Sequence, residues 1–107
     1  MSIKVFKFGG ASVKDADGYR NVGKILTKYK DEKIVIVVSA MGKTTNALEE
    51  VIKSFYANDG NTGNLLNQIK ESHFKLITEL FDAGRDVHDD INDTFVEIDW
   101  VLEETPH

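Results

Sequence analysis

Ile34, Val35, Ile36, Val37 and Val38 are consecutive, apolar and β-branched. Successive side chains of a strand point to opposite faces, so a run with no polar member expects protein on both sides. That is how a central strand of a helix-covered parallel sheet reads, and it places the chain in the α/β class. A second strand lies upstream in Ile3-Lys4-Val5-Phe6-Lys7-Phe8, with Ile3, Val5 and Lys7 on one face and Lys4, Phe6 and Phe8 on the other. Between the two, Ala16, Tyr19, Val22, Ile25, Leu26 and Tyr29 recur at helical spacing, which predicts a helix from about 14 to 30 and a right-handed β-α-β unit.

Beyond the second strand the period stays helical. Ala47, Leu48, Val51, Ile52, Phe55 and Tyr56 mark a second helix, stopped by Asn58 to Gly63. Leu65, Leu66, Ile69, Leu76, Ile77, Leu80 and Phe81 mark a third. Ala83-Gly84-Arg85-Asp86 breaks it, and Ile91, Phe95, Ile98, Val101 and Leu102 mark a fourth, with Pro106 after it. The last two helices are expected to form an antiparallel hairpin packed by Phe95 and Trp100. The expected division is a β-α-β-α core over residues 1–57 and a helical hairpin over 64–105. Two strands alone do not make a stable sheet, so the apolar second strand calls for neighbours from elsewhere. A fragment of a larger domain is expected, one that self-associates into a homo-oligomer.

The first strand runs into Gly9-Gly10-Ala11-Ser12-Val13. Consecutive glycines let backbone approach a ligand and turn N–H groups toward it, and Ser12 is placed to cap the helix that follows. Lys7, on a strand with apolar neighbours, needs an anion or a solvated cleft. Amides, a helix start and one cation converge on a phosphate site, although a glycine pair alone also fits a plain turn. Two parallel strands deliver their following loops to one edge of the sheet, where ligands of open α/β sheets bind. Ser39 and Thr45, in and after the second of these loops, are hydroxyls that fit either caps or ligands. Gly42-Lys43-Thr44 is not a P-loop, because that motif needs a glycine five positions earlier, where Val37 stands.

Lys7-Phe8-Gly9-Gly10-Ala11-Ser12-Val13 resembles the N-terminal signature of aspartokinases, in the amino-acid kinase family, which usually has Thr in place of Ala11. Val37-Val38-Ser39-Ala40-Met41-Gly42-Lys43-Thr44-Thr45-Asn46 is similar to the second strand and loop of that family. The resemblance is clearest over residues 1 to about 56, and the family's later Ser-x-Gly-Glu segment has no counterpart. It implies part of a three-layer α/β/α amino-acid kinase fold lacking most of the sheet, from an enzyme that makes 4-phospho-L-aspartate from ATP and L-aspartate on the way to lysine, threonine and methionine. The implied roles are charge stabilisation by Lys7, phosphate binding by Gly9, Gly10 and Ser12 beside Lys7, and aspartate binding by Ser39 and Thr45. ATP would come with Mg2+, for which no carboxylate of this segment is placed. Acetylglutamate or glutamate kinases of the same family, and a noncatalytic phosphate-binding or oligomerisation module, stand as alternatives.

Charge narrows the partners. Residues 1–81 sum to +3 and residues 82–107 to −8, an acidic end that does not suit nucleic acid. Asp86, Asp89, Asp90 and Asp93 lack the order of a calcium loop and read as a solvated helix start. His73 lies on an apolar stripe and reads as packing, while His88 and His107 have no partner at metal-ligand spacing. There is no cysteine for a disulfide or thiolate site, and the longest apolar run is too short to span a bilayer. A soluble cytoplasmic protein is the expectation.

Overall fold

A computed structural model describes residues 2–81 and 85–104. The elements run β1 (Lys4–Phe8), a 3-10 turn (Gly10–Ser12), α1 (Ala16–Thr27), β2 (Ile34–Val38), α2 (Thr44–Ala57), α3 (Thr62–Leu80) and α4 (Arg85–Leu102). This is the expected α/β class, with a two-stranded parallel sheet and four α-helices among the described residues. Arg85 and Asp86 belong to α4 rather than to the break before it, while Ala83, Gly84, Pro106 and His107 lie outside the described residues. The chain forms two compact units, Met1–Thr44 and Thr45–His107.

In the first unit β1 and β2 pair in parallel, with Val5 beside Val35, Lys7 beside Val37 and Phe8 beside Val38. Phe6 stacks on Phe8 and meets Tyr29, which follows α1, with ring centroids 4.9 Å apart. Lys4 lies over the same Tyr29 ring and pairs with Glu32 at 2.7 Å. The hydrogen bond to Glu32 holds the Lys4 ammonium above its ordinary pKa. Phe8, Val13 and Ala16 are buried, Val13 completely, and they anchor the turn between β1 and α1.

Ser12 does not cap α1. The chain first closes a 3-10 turn, with the N–H groups of Ser12 and Val13 donating to the carbonyls of Gly9 and Gly10 at 3.0 and 3.2 Å. Backbone then extends through Asp15, whose carboxylate accepts from the Gly18 N–H at 2.8 Å. The cap falls three residues later than the sequence suggests because the glycines absorb a turn of their own. At its other end α1 stops at Thr27, since Lys28 and Tyr29 donate three residues back and tighten the chain into a turn.

The second unit is helical. Val51 of α2, Leu66 and Ile69 of α3 and Phe95 of α4 form its buried core, flanked by Leu48, Ile91 and Ile98. Phe74 stacks on His88 and His73 meets Phe95 edge-on, so α3 and α4 pair as an antiparallel hairpin. Trp100, expected in that interface, is instead 63% exposed. It lies five residues from Phe95, about 140° around the helix, and cannot share the Phe95 face. Between α2 and α3 the turn is tied by one cluster, in which buried Ser54 bonds both Asp59 and Thr62, and Asp59 also accepts from the Asn61 N–H at 2.9 Å. Bonds from Ser54 and Asn61 hold the Asp59 carboxyl below its ordinary pKa. Asn58 and Gly60 take positive φ there, the local reason for a helix stop at Asn58 to Gly63.

Candidate phosphate-binding site

β1 and β2 end side by side, and that pairing builds the site. The Ser39 N–H donates to the Phe8 carbonyl at 2.9 Å, continuing the ladder one residue past β2. Gly9 therefore departs from β1 at the point where Ser39 departs from β2. The Cβ position of Gly10 lies 3.9 Å from the Ser39 hydroxyl oxygen, and nothing lies within 4 Å of the Cβ position of Gly9. Gly9 is extended, φ −79° and ψ 178°, and leads into a turn whose first N–H groups, on Gly10 and Ala11, have no acceptor inside the turn itself. Open glycine backbone with amides left free by the turn is the donor set that phosphate oxygens require.

Lys7 stands one residue before the buried Phe8, exposed and beside Val37. It has no carboxylate partner among the described residues, in contrast to Lys4. Ser12 ends the 3-10 turn and is exposed. Ser39 is exposed at the sheet edge. The first unit thus gathers Gly9, Gly10, Ser12 and Ser39 around one edge, with Lys7 on the strand leading to it. Thr45 opens the second unit, exposed in the first turn of α2. The helix begins one residue earlier, at Thr44, whose N–H and hydroxyl both donate to the Met41 carbonyl.

Two glycines escaped the sequence reading. A Cβ on Gly18 would lie 2.4 Å from the Ser12 carbonyl oxygen, so the start of α1 is packed against the 3-10 turn backbone to backbone. Its signal is a glycine in the first turn of a helix, where intrinsic propensity disfavours it. Gly42 has φ +51° and lies in the loop after β2. Elsewhere, in the helical unit, a cavity of about 630 Å³ is lined by residues that include Phe55, Tyr56, Thr62, Glu103 and Glu104. Among the described residues its lining has carboxylates and no cation, the wrong sign for phosphate. Among the described residues no group of three or more His, Asp or Glu side chains is placed to hold a metal, and no helix is long and apolar enough to cross a membrane. His73 Nδ1 donates to the Ile69 carbonyl oxygen of its own helix at 2.8 Å, and Asp86, Asp89, Asp90 and Asp93 are exposed along α4.

An α/β segment with a glycine turn and a hydroxyl loop on one sheet edge agrees with the family comparison: residues 2–101 match the model of the amino acid kinase family, and the chain belongs to that family. Among curated proteins it is 40% identical over 80 residues to aspartokinase 2, chloroplastic, of Arabidopsis thaliana, covering 71% of this chain and 14% of that protein. It is 30% identical over 79 residues to the bifunctional aspartokinase/homoserine dehydrogenase 2, chloroplastic, of the same plant, covering 74% and 9%. Aspartokinase of Mycobacterium tuberculosis (strain CDC 1551 / Oshkosh) is 46% identical over 50 residues, covering 45% and 12%. The chain therefore spans a small part of the length of the curated relatives it matches.

Proposed function

We propose that this segment forms the phosphate site and part of the acceptor site of an aspartate kinase, which transfers the γ-phosphoryl group of ATP to L-aspartate and yields ADP and 4-phospho-L-aspartate. This is the entry step to lysine, threonine and methionine. The observation that carries the reading is the shared departure of the two loops, with Ser39 bonded to Phe8 and Gly10 beside the Ser39 hydroxyl. A phosphate on the glycine turn then lies next to an acceptor held at Ser39. Residues 1–57 make the binding core and residues 64–105 a helical hairpin, in a cytoplasmic, homo-oligomeric enzyme.

In the reaction a carboxylate oxygen of aspartate attacks the γ-phosphorus, the bond to the β–γ bridging oxygen breaks, and ADP leaves with the electron pair. Two anions must meet, so the protein's task is to position them and offset their charge. Gly9 and Gly10, joined by Ala11, supply backbone N–H donors to phosphate oxygens, and Ser12 adds a hydroxyl beside them. Lys7 reaches the phosphates as charge builds on the transferring group. Ser39 and Thr45 bind the aspartate. Mg2+ bound with the nucleotide would offset part of its charge, and among the described residues no group of three or more carboxylates or histidines is placed to hold it. The 107-residue chain by itself holds too little of this constellation to turn over.

The enzyme carrying this segment is to be assayed with ATP and a panel of amino-acid carboxylates, trapping acyl phosphate as the hydroxamate. Hydroxamate formed from aspartate, and not from glutamate or acetylglutamate, is the expected result. Transfer to glutamate or acetylglutamate would move the assignment within the family, and no transfer to any of them would favour a noncatalytic phosphate-binding module.

A further inference from the structure

Gly42 touches neither the glycine turn nor the Ser39 hydroxyl, yet its conformation determines where the β2–α2 loop lies. Its φ of +51° is in the left-handed region, which a residue with a Cβ enters at a cost. The loop turns at this point, and Thr44 fixes the turn through two bonds to the Met41 carbonyl. The Cβ position of Gly42 lies 3.5 Å from the Lys14 carbonyl oxygen, so the turn rests on the segment that leaves the 3-10 turn. At the other end of the loop the Ser39 hydroxyl lies beside Gly10. The acceptor loop thus lies beside the glycine turn at Gly10 and beside the segment that follows that turn at Lys14.

We propose that Gly42 is a positioning residue whose left-handed turn seats the β2–α2 loop on the Lys14 carbonyl and so sets the phosphate loop and the acceptor loop as one body. The inference rests on the aspartate kinase reading for its kinetic form. A Cβ at 3.5 Å is ordinary contact, so the space is available and only the backbone conformation resists substitution. Asn, which enters the left-handed region more readily than Ala, is therefore the conservative replacement.

Two variants of the enzyme carrying this segment, Gly42→Ala and Gly42→Asn, test it. Gly42→Ala is expected to raise KM for ATP and for aspartate together, each by about five- to thirty-fold, the range that the usual penalty for a left-handed residue converts to. Gly42→Asn is expected to stay within about two-fold of the parent on both. A variant that moves one KM alone, an alanine that behaves as the parent, or an asparagine as poor as alanine overturns the proposal. A second measurement does not depend on catalysis. In the 107-residue chain labelled with 15N, Gly42→Ala is expected to shift the amide resonances of Gly10, Ser12 and Lys14, and Gly42→Asn to leave them near their original positions. Unmoved resonances in the alanine variant would reject the coupling even if the parent proved to phosphorylate something other than aspartate, whereas shifted ones in an enzyme inert to aspartate would reject only the substrate.

Discussion

Lys7 and Lys4 stand on opposite faces of the same short strand and have different surroundings. Lys4 is committed to Glu32 and the Tyr29 ring, whereas Lys7 sits exposed beside Val37 with its charge available to a ligand. Lys7→Met is therefore expected to leave the fold intact and lower turnover by two orders of magnitude or more, the loss that follows removal of one preorganised charge stabiliser. Steady-state kinetics with ATP and aspartate check it, and near-normal turnover in a folded variant excludes the role. Thr45→Val separates the two substrates: losing a hydroxyl that pairs with aspartate is expected to cost about 1 to 3 kcal/mol in acceptor binding and little in ATP binding. Equal effects on both Michaelis constants would make Thr45 a structural cap. The residues of the proposed site were legible because a strand pattern running into two glycines states its own geometry. Gly18 and Gly42 were not, since Gly18 is required by the Ser12 carbonyl of the preceding turn and Gly42 by a φ that no local pattern declares.

The elements show the same division between periodic and local information. Strand and helix positions follow from spacing, and β2 falls on the residues its apolar run marks. Caps and turns depend on which of several neighbouring polar groups wins. Asp15 displaced Ser12 as the α1 cap because the glycine turn consumed Ser12 first, and Trp100 left the hairpin interface because helical geometry gives that face to Phe95. The α2–α3 turn shows how much one cluster of polar side chains can carry. Ser54 is buried and bonded to Asp59 and Thr62, so Ser54→Ala is expected to cost about 1 kcal/mol and lower Tm by several degrees. Asp59 adds a pH signature. Its carboxyl is held below the ordinary value of 3.8, so its contribution is present above that pH and is lost as pH falls through the lower value of the folded state. Thermal unfolding of the parent and of Asp59→Asn is expected to differ at pH 7 and to converge in strong acid. A difference that persists there would mean that Asp59 acts through shape rather than charge.

At the scale of the whole molecule, the sheet dominates. Val35, Ile36, Val37 and Val38 are 44–54% exposed and Val5 is 67% exposed, although the composition of β2 is that of a strand covered on both faces. Both strands of a two-stranded sheet also present a free edge of N–H and C=O groups. Apolar faces and open edges raise the free energy of a lone chain, and pairing with a second copy is the most accessible way to lower it. Charge opposes this only weakly, because the acidic surplus lies in residues 82–107 and the strands carry two lysines between them. The 107-residue chain by itself is therefore expected to be inactive as a kinase and to self-associate at micromolar concentration. Light scattering over a dilution series, together with thermal unfolding at each concentration, decides the matter. Mass that falls on dilution with a concentration-dependent Tm is the expected result. A monomer with one cooperative, concentration-independent transition would mean that the helices of this chain cover β2 in solution and that its apolar faces need no second molecule.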